Sequence, residues 1–271
     1  MHDTAEGVES MGQTRQRPAR TPPRLCLLGG FTLVVQDAPV DIPIHAQRVL
    51  AYLSLVQPTK PAHLRTGLAD RLWGSVPVER SQASLRTALW RIRQTDPQLV
   101  RASRETVHLN ESVDVDVRRC VAQAGRLLAD DQDLQPQDTD ISALRGDLLP
   151  HWDEDWLLLE RERIRQVQLH ALEALAHRLR RLGRHWEAIE AAFAAIAEEP
   201  LRESAHAALI DIFLAEHNVA QARHQLDRYA ALLWSELAIK PSVELTNRVA
   251  AATGDHARPI DADEDERVTQ R

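Results

Sequence analysis

The stretch "SQASLRTALWRIRQ" (residues 81–94) decides how this chain reads. Leu85, Ala88, Leu89 and Ile92 recur at spacings of three and four, which at about 100° of helix per residue places them on one narrow stripe. Ala83, Thr87, Trp90 and Gln94 face the opposite way, flanked by Ser84, Arg86, Arg91 and Arg93. One face requires a core. The other presents guanidinium groups and small polar side chains, either as a solvated surface or as a surface for a polyanion.

The surrounding elements favour the polyanion. Upstream, the apolar runs "LCLLGG", "FTLVVQ" and "PVDI", broken by Gly29-Gly30 and by the turn Gln36-Asp37-Ala38, predict a small antiparallel meander. "HAQRVLAYLSLV" follows as a helix with Val49, Leu50, Leu53 and Val56 on one face. A second helix is predicted over "AHLRTGLADRLW", with Leu64, Leu68, Leu72 and Trp73 as its apolar side. The loop "GSVPVER" leads into the opening stretch, which stops near Asp96-Pro97 because the residue before proline disfavours the α region. "LVRASRETVHLN" then alternates apolar and polar residues about a turn at Ser103 to Glu105, the signature of a hairpin.

Sheet, three helices, hairpin is the order of a winged helix-turn-helix of the response-regulator effector type. There the third helix enters the major groove and the hairpin lies along the neighbouring backbone. The candidate DNA contacts are Arg80, Ser84, Arg86, Thr87, Arg91 and Arg93 on the helix, and Arg101 and Arg104 on the hairpin. Phosphate neutralisation contributes affinity, and a guanine held bidentately by arginine contributes about 1–3 kcal/mol of discrimination. Arg80 stands near the helix start, where backbone amides already attract phosphate. Trp90 is expected to pack on a neighbouring loop, the alternative being a stack on sugar or thymine methyl groups.

The net charge of −7 over 271 residues argues at first against nucleic acid. Counted by segment, residues 24–111 carry +4 and residues 112–271 carry −11, with residues 1–23 neutral. Such asymmetry is expected when one part meets an anionic partner and the other does not. Residues 1–23 and 255–271 read as charged, coreless tails. Cys26 and Cys120 lie far apart in apolar segments, and no secretory apolar core or long apolar run is present. The expectation is a cytoplasmic, membrane-free protein whose cysteines are buried free thiols rather than a disulfide.

Residues 112–254 read as a second domain, helical in pattern from Asp116 to about Gly254, with a long amphipathic segment from Trp156 to Leu182 that breaks at Gly183. "LGRHWEAI" and "EHNVAQAR" superpose at an offset of 34 residues, placing Leu175 and Leu179 on Leu209 and Phe213, and Glu187-Ala188 on Gln221-Ala222. That offset is the tetratricopeptide period, so an α+β winged helix-turn-helix domain is expected to precede an all-α tetratricopeptide-like domain.

Catalytic chemistry has little support. "HWDEDW" (residues 151–156) sets three carboxylates between indoles, but adjacent carboxylates do not converge on one ion, and at a helix start they complement its dipole. The 12 histidines show no metal-ligand spacing, and no glycine-rich loop ends in Gly-Lys-Ser/Thr. No enzyme activity, metal or cofactor is expected.

"RLWG" (residues 71–74), "ASLRTALWRIR" (83–93) and "DWLLLERERIRQVQLHALEAL" (155–175) together resemble the Streptomyces antibiotic regulatory protein family. Arg91, Ile92 and Arg93, six residues and more beyond Leu85, match that family's Leu-x-x-x-x-x-Arg-hydrophobic-Arg helix. The resemblance spans residues 24–254 and implies an OmpR-type winged helix joined to a bacterial transcriptional activator domain. It also implies that two protomers bind promoter direct repeats as a homodimer on double-stranded DNA and recruit RNA polymerase through its sigma factor. The competing reading is a tetratricopeptide-like adaptor that binds protein rather than DNA, which the net −7 favours.

Overall fold

The computed structural model describes residues 21–56, 63–129 and 133–253; of the two expected tails, residues 255–271 and all but the last three of residues 1–23 lie outside them. β1 (Arg24–Cys26), β2 (Thr32–Val35) and β3 (Ala38–Pro39) make the antiparallel meander. Gln36 and Asp37, at φ 53° and 61°, form its two-residue turn, whose left-handed positions match the twist of the flanking strands. α1 (Ile44–Leu55) follows and buries Val49, Leu50 and Leu53 completely.

The second helix begins later than its apolar pattern predicts. His63 and Leu64 form a short strand, β4, and α2 runs from Arg65 to Trp73. Leu64 is therefore 62 % exposed rather than on the apolar face with Leu68, Leu72 and Trp73. Its backbone pairs instead with a distant strand, a tertiary demand that overrides helical periodicity. α3 (Val78–Thr95) leads into β5 (Val100–Ala102) and β6 (Thr106–Leu109). The hairpin has the register Val100↔Leu109 and Ala102↔Val107, and β4 joins it through His63↔Val107. Ser103 closes the turn, its Oγ accepting from the amides of Glu105 (3.2 Å) and Thr106 (3.0 Å).

β7 (Asp114–Val115) returns to the first sheet and pairs parallel with β1, Leu25 opposite Val115, giving the order β3-β2-β1-β7. α4 (Asp116–Ala129) starts at once, and the Asp116 carboxylate accepts from the amides of Leu27 (2.8 Å) and Leu28 (2.9 Å). Two 3₁₀ turns (Pro136–Thr139 and Ile141–Leu144) precede α5 (Asp155–Arg181), α6 (His185–Glu198), α7 (Glu203–Ala215), α8 (Val219–Leu237) and α9 (Val243–Thr253).

The 34-residue offset is visible in the backbone. α5 and α7 end at Arg181 and Ala215, and α6 and α8 begin at His185 and Val219. Between them Gly183 (φ 71°) and His217 (φ 57°) occupy the same left-handed position. Arg184 N donates to Leu179 O (3.0 Å) as Asn218 N donates to Phe213 O (2.8 Å), so both turns satisfy the last helical carbonyls in the same way. Leu175, Leu179, Ala188 and Leu209 share one buried core.

A second core spans the junction. Val113, Val115 and Val117, together with Leu148, Leu149, Leu157 and Ile164, pack with Leu25, Leu50 and Leu53. The "HWDEDW" segment sits on this seam. Trp152 stacks on Phe31 (ring centroids 6.0 Å apart), Trp156 meets Tyr52 edge-on (5.2 Å), and Arg48 of α1 donates to the Glu154 carboxylate (2.8 Å). Asp155 begins α5, as dipole complementarity favours, but Glu154 is used to tie α5 to α1. Arg161 donates to the carbonyls of Leu148 (2.9 Å) and Trp152 (2.6 Å), holding the incoming loop.

Candidate nucleic-acid interface

α3 is seated by its stripe. Leu85, Ala88, Leu89 and Ile92 are all at most 3 % exposed, Ser81 joins them, and the helix packs against α1, α2 and β5. The turn from α2 fixes its angle of departure. A Cβ at Gly74 would stand 2.6 Å from the carbonyl oxygen of Asp70, closer than any side chain tolerates, so only glycine closes this turn. Pro77 caps α3 without a side-chain bond, which leaves first-turn amides available to solvent or to an anion beside Arg80.

On the outward face Arg80, Arg86, Thr87, Arg91 and Arg93 are exposed and Ser84 is half-buried; Arg101 and Arg104 are exposed on the hairpin. The eight candidates therefore occupy two adjacent elements. Among the described residues none of these six arginines is in an ion pair, whereas Arg165, Arg184, Arg202 and Arg248 of the helical region are each held by a carboxylate. A guanidinium without an internal counter-charge keeps its full capacity for an external one.

Two of the arginines have company. Arg93 Nη2 donates to the carbonyl of Ala102 (3.0 Å), joining α3 to β5. The Arg91 guanidinium lies over the Trp90 ring, 4.8 Å from its centroid. Trp90 itself is 52 % exposed, so its expected packing on a loop is not found. It lies opposite the buried stripe of α3, with Arg86, Thr87 and Arg93 as its exposed helical neighbours.

One contributor was not foreseen. Arg65 N donates to Glu105 O (2.8 Å) and its Nη1 to Ser103 O (3.2 Å), fastening the start of α2 to the hairpin tip. Its only sequence signal is a basic residue at the helix boundary, which is too common to single it out.

The remaining polar chemistry is structural. Burial pushes the Cys120 thiol up to about 11 and raises that of half-buried Cys26, so both free cysteines stay protonated and unreactive at neutral pH. Among the described residues no group of His, Cys, Asp and Glu is arranged to hold a metal, and no helix is long and apolar enough to cross a membrane.

Comparison with known proteins places these elements. Residues 113–251, just over half of the chain, match the family model described as the bacterial transcriptional activator domain. Among solved structures the chain is similar to Mycobacterium tuberculosis EmbR, determined in complex with a low affinity phosphopeptide, with a TM-score of 0.67 and 19 % sequence identity. That likeness covers 88 % of this chain, hence also much of the region before residue 113, and 66 % of the EmbR chain, just under two thirds of its length. No curated protein matches the chain.

Proposed function

The chain belongs to the bacterial transcriptional activator domain family, and from that premise we propose that it is a sequence-specific DNA-binding transcriptional activator. Residues 24–111 act as a winged helix-turn-helix in which α3 enters the major groove and the β5–β6 hairpin follows the adjacent backbone. Arg80, Arg101 and Arg104 meet phosphates, while Ser84, Arg86, Thr87, Arg91 and Arg93 face base edges. Residues 112–254 supply the protein contacts, toward a second protomer on neighbouring promoter repeats and toward RNA polymerase with its sigma factor. The work is that of a cytoplasmic regulator, and it requires no cofactor.

The observation that carries this reading is the set of exposed arginines on α3 and the hairpin with no carboxylate partner among the described residues, whereas Arg165, Arg202 and Arg248 of the helical region are each held by one. The test is salt-dependent binding of the full chain to duplex DNA. With Arg80, Arg101 and Arg104 on phosphates, log K falls against log salt with a slope of about −3 per protomer. A chain with no salt-dependent retention on any duplex would instead be the helical-repeat adaptor that the net charge of −7 favours.

A further inference from the structure

An exposed tryptophan in the middle of an arginine face calls for a physical account. Large apolar rings leave water wherever the fold offers a surface, and here Trp90 stays 52 % exposed although α3 has a complete buried stripe one half-turn away. Its helical neighbours at three and four residues are Arg86, Thr87, Arg93 and Gln94, all exposed, so the indole stands at the centre of the face assigned to DNA. The Arg91 guanidinium lies over it at 4.8 Å, and no described residue takes a hydrogen bond from that guanidinium. Stacking engages the plane of the guanidinium and leaves its N–H edge free.

We propose, resting on the DNA-binding reading above, that Trp90 and Arg91 form one reading unit for a thymine next to a guanine: the indole receives the thymine methyl while holding Arg91 flat, so that its donor edge meets O6 and N7 of the neighbouring guanine. The chemistry of each half fits. Guanine presents two acceptors in the major groove, which a planar, pre-oriented fork matches bidentately. Thymine is the one base that presents a methyl group there, and a methyl recognises an apolar surface. A lone arginine on a solvated helix samples many rotamers. One resting on an aromatic plane has lost most of them before binding, so less order is imposed at contact. Trp90 is thus both a contact and a positioning residue for Arg91.

The experiment selects duplexes from a randomised library with the full chain, as wild type, Trp90→Ala and Trp90→Phe. It then measures affinity for the wild-type site with each thymine replaced by uracil, which removes only the methyl. The wild type should enrich a thymine–guanine step, and uracil at that thymine should weaken it about fourfold, the worth of one desolvated methyl group. Trp90→Ala should lose the thymine preference, bind its former site about tenfold less tightly, and show no penalty for uracil. Its salt slope should stay within about one unit of wild type, since no phosphate contact is lost. Trp90→Phe should retain part of the methyl preference, and all three proteins should still unfold in one cooperative thermal transition, so that a lost preference reports the contact and not the fold. A Trp90→Ala protein that selects the same step with equal affinity, or one equally sensitive to the methyl, overturns the proposal while leaving DNA binding intact. A wild type that enriches no sequence and shows no salt-dependent binding overturns both.

Discussion

Arg93 of α3 and Ala102 of β5 are joined by a hydrogen bond of 3.0 Å from the guanidinium to the carbonyl, so one arginine links the helix to the hairpin beside it. Arg91, two residues earlier, makes no such bond and rests on Trp90. The basic pair is therefore unequal: Arg93 gives a donor to the protein, and Arg91 has all of its own available to the proposed duplex.

Replacing both, Arg91→Ala with Arg93→Ala, should weaken duplex binding at least about tenfold, the low end of what two base-edge contacts by arginine contribute. Measured singly by thermal unfolding, Arg93→Ala should cost about 1 kcal/mol through the lost hairpin bond, and Arg91→Ala almost nothing. Unchanged affinity of the double variant in a titration would remove α3 as the reading element.

Arg48 and Glu154, with side chains 19 % and 16 % exposed, couple α1 to the start of α5, and Arg48 also donates to the carbonyl of Leu72. Arg48→Ala leaves a largely buried carboxylate without its partner and should destabilise by about 2–3 kcal/mol in urea unfolding. Because one core spans this seam, the loss should appear in a single transition; two separated transitions would show that the halves unfold independently.

Gly74→Ala should cost about 1–3 kcal/mol, since its Cβ would collide with the Asp70 carbonyl at 2.6 Å and the turn before α3 must open. Its DNA affinity should fall as well, although residue 74 belongs to no contact, because α3 leaves the turn at a different angle. A fully stable variant would mean that the backbone adjusts without strain.

His206 is buried, with Nε2 at 2.9 Å from Pro200 O, Nδ1 at 2.8 Å from the Gln225 amide nitrogen, and its ring stacked on Tyr229 at 4.1 Å. Only the tautomer with the proton on Nε2 satisfies both neighbours, since a second proton would face the Gln225 amide donor. Desolvation, aided by Arg228 and opposed by the Pro200 carbonyl and Glu203, holds its pKa below the usual 6.5. The unfolded chain gains a proton near 6.5 while the folded one does not, so stability present above that pH is lost as pH falls toward the folded value. The midpoint of thermal unfolding should be lower at about pH 5.5 than at about pH 7.5, and His206→Gln should flatten the difference. Asp140, Glu162 and Glu187, whose carboxyls are lowered by hydrogen bonds, act below this window. Asp116, raised by burial, acts in the opposite sense, so the comparison between variants is the decisive one. An identical pH dependence in the two proteins would assign the effect elsewhere.

Local periodicity made much of this architecture legible. The stripe on α3 and the hairpin turn at Ser103 depend on neighbours a few residues away, the offset of 34 residues on a local pattern that recurs, and each is present in the structure. Pairings over long sequence separations were not legible. Leu64 fits a helical pattern but lies in β4, because β6, some forty residues later, takes its backbone. Val113 to Val117 alternates apolar and polar residues as a strand does, but nothing in so short a run names its partner β1, about ninety residues earlier. Glu154 looked like a helix-dipole residue until Arg48, more than a hundred residues earlier, came within hydrogen-bonding distance. At the candidate interface the positions of the arginines could be read from spacing, but the exposure of Trp90 could not, since periodicity assigns an orientation and says nothing of what stands there.

The seam where Phe31 meets Trp152, Tyr52 meets Trp156 and Arg48 meets Glu154 gives the molecule a bearing as well as a length. If α3 lodges in a groove as proposed, this seam fixes the side of the duplex toward which the α-helical stack faces. Shifting the site along the promoter by half a turn, about 5 base pairs, would swing that arm to the far side, while a whole turn would restore its heading.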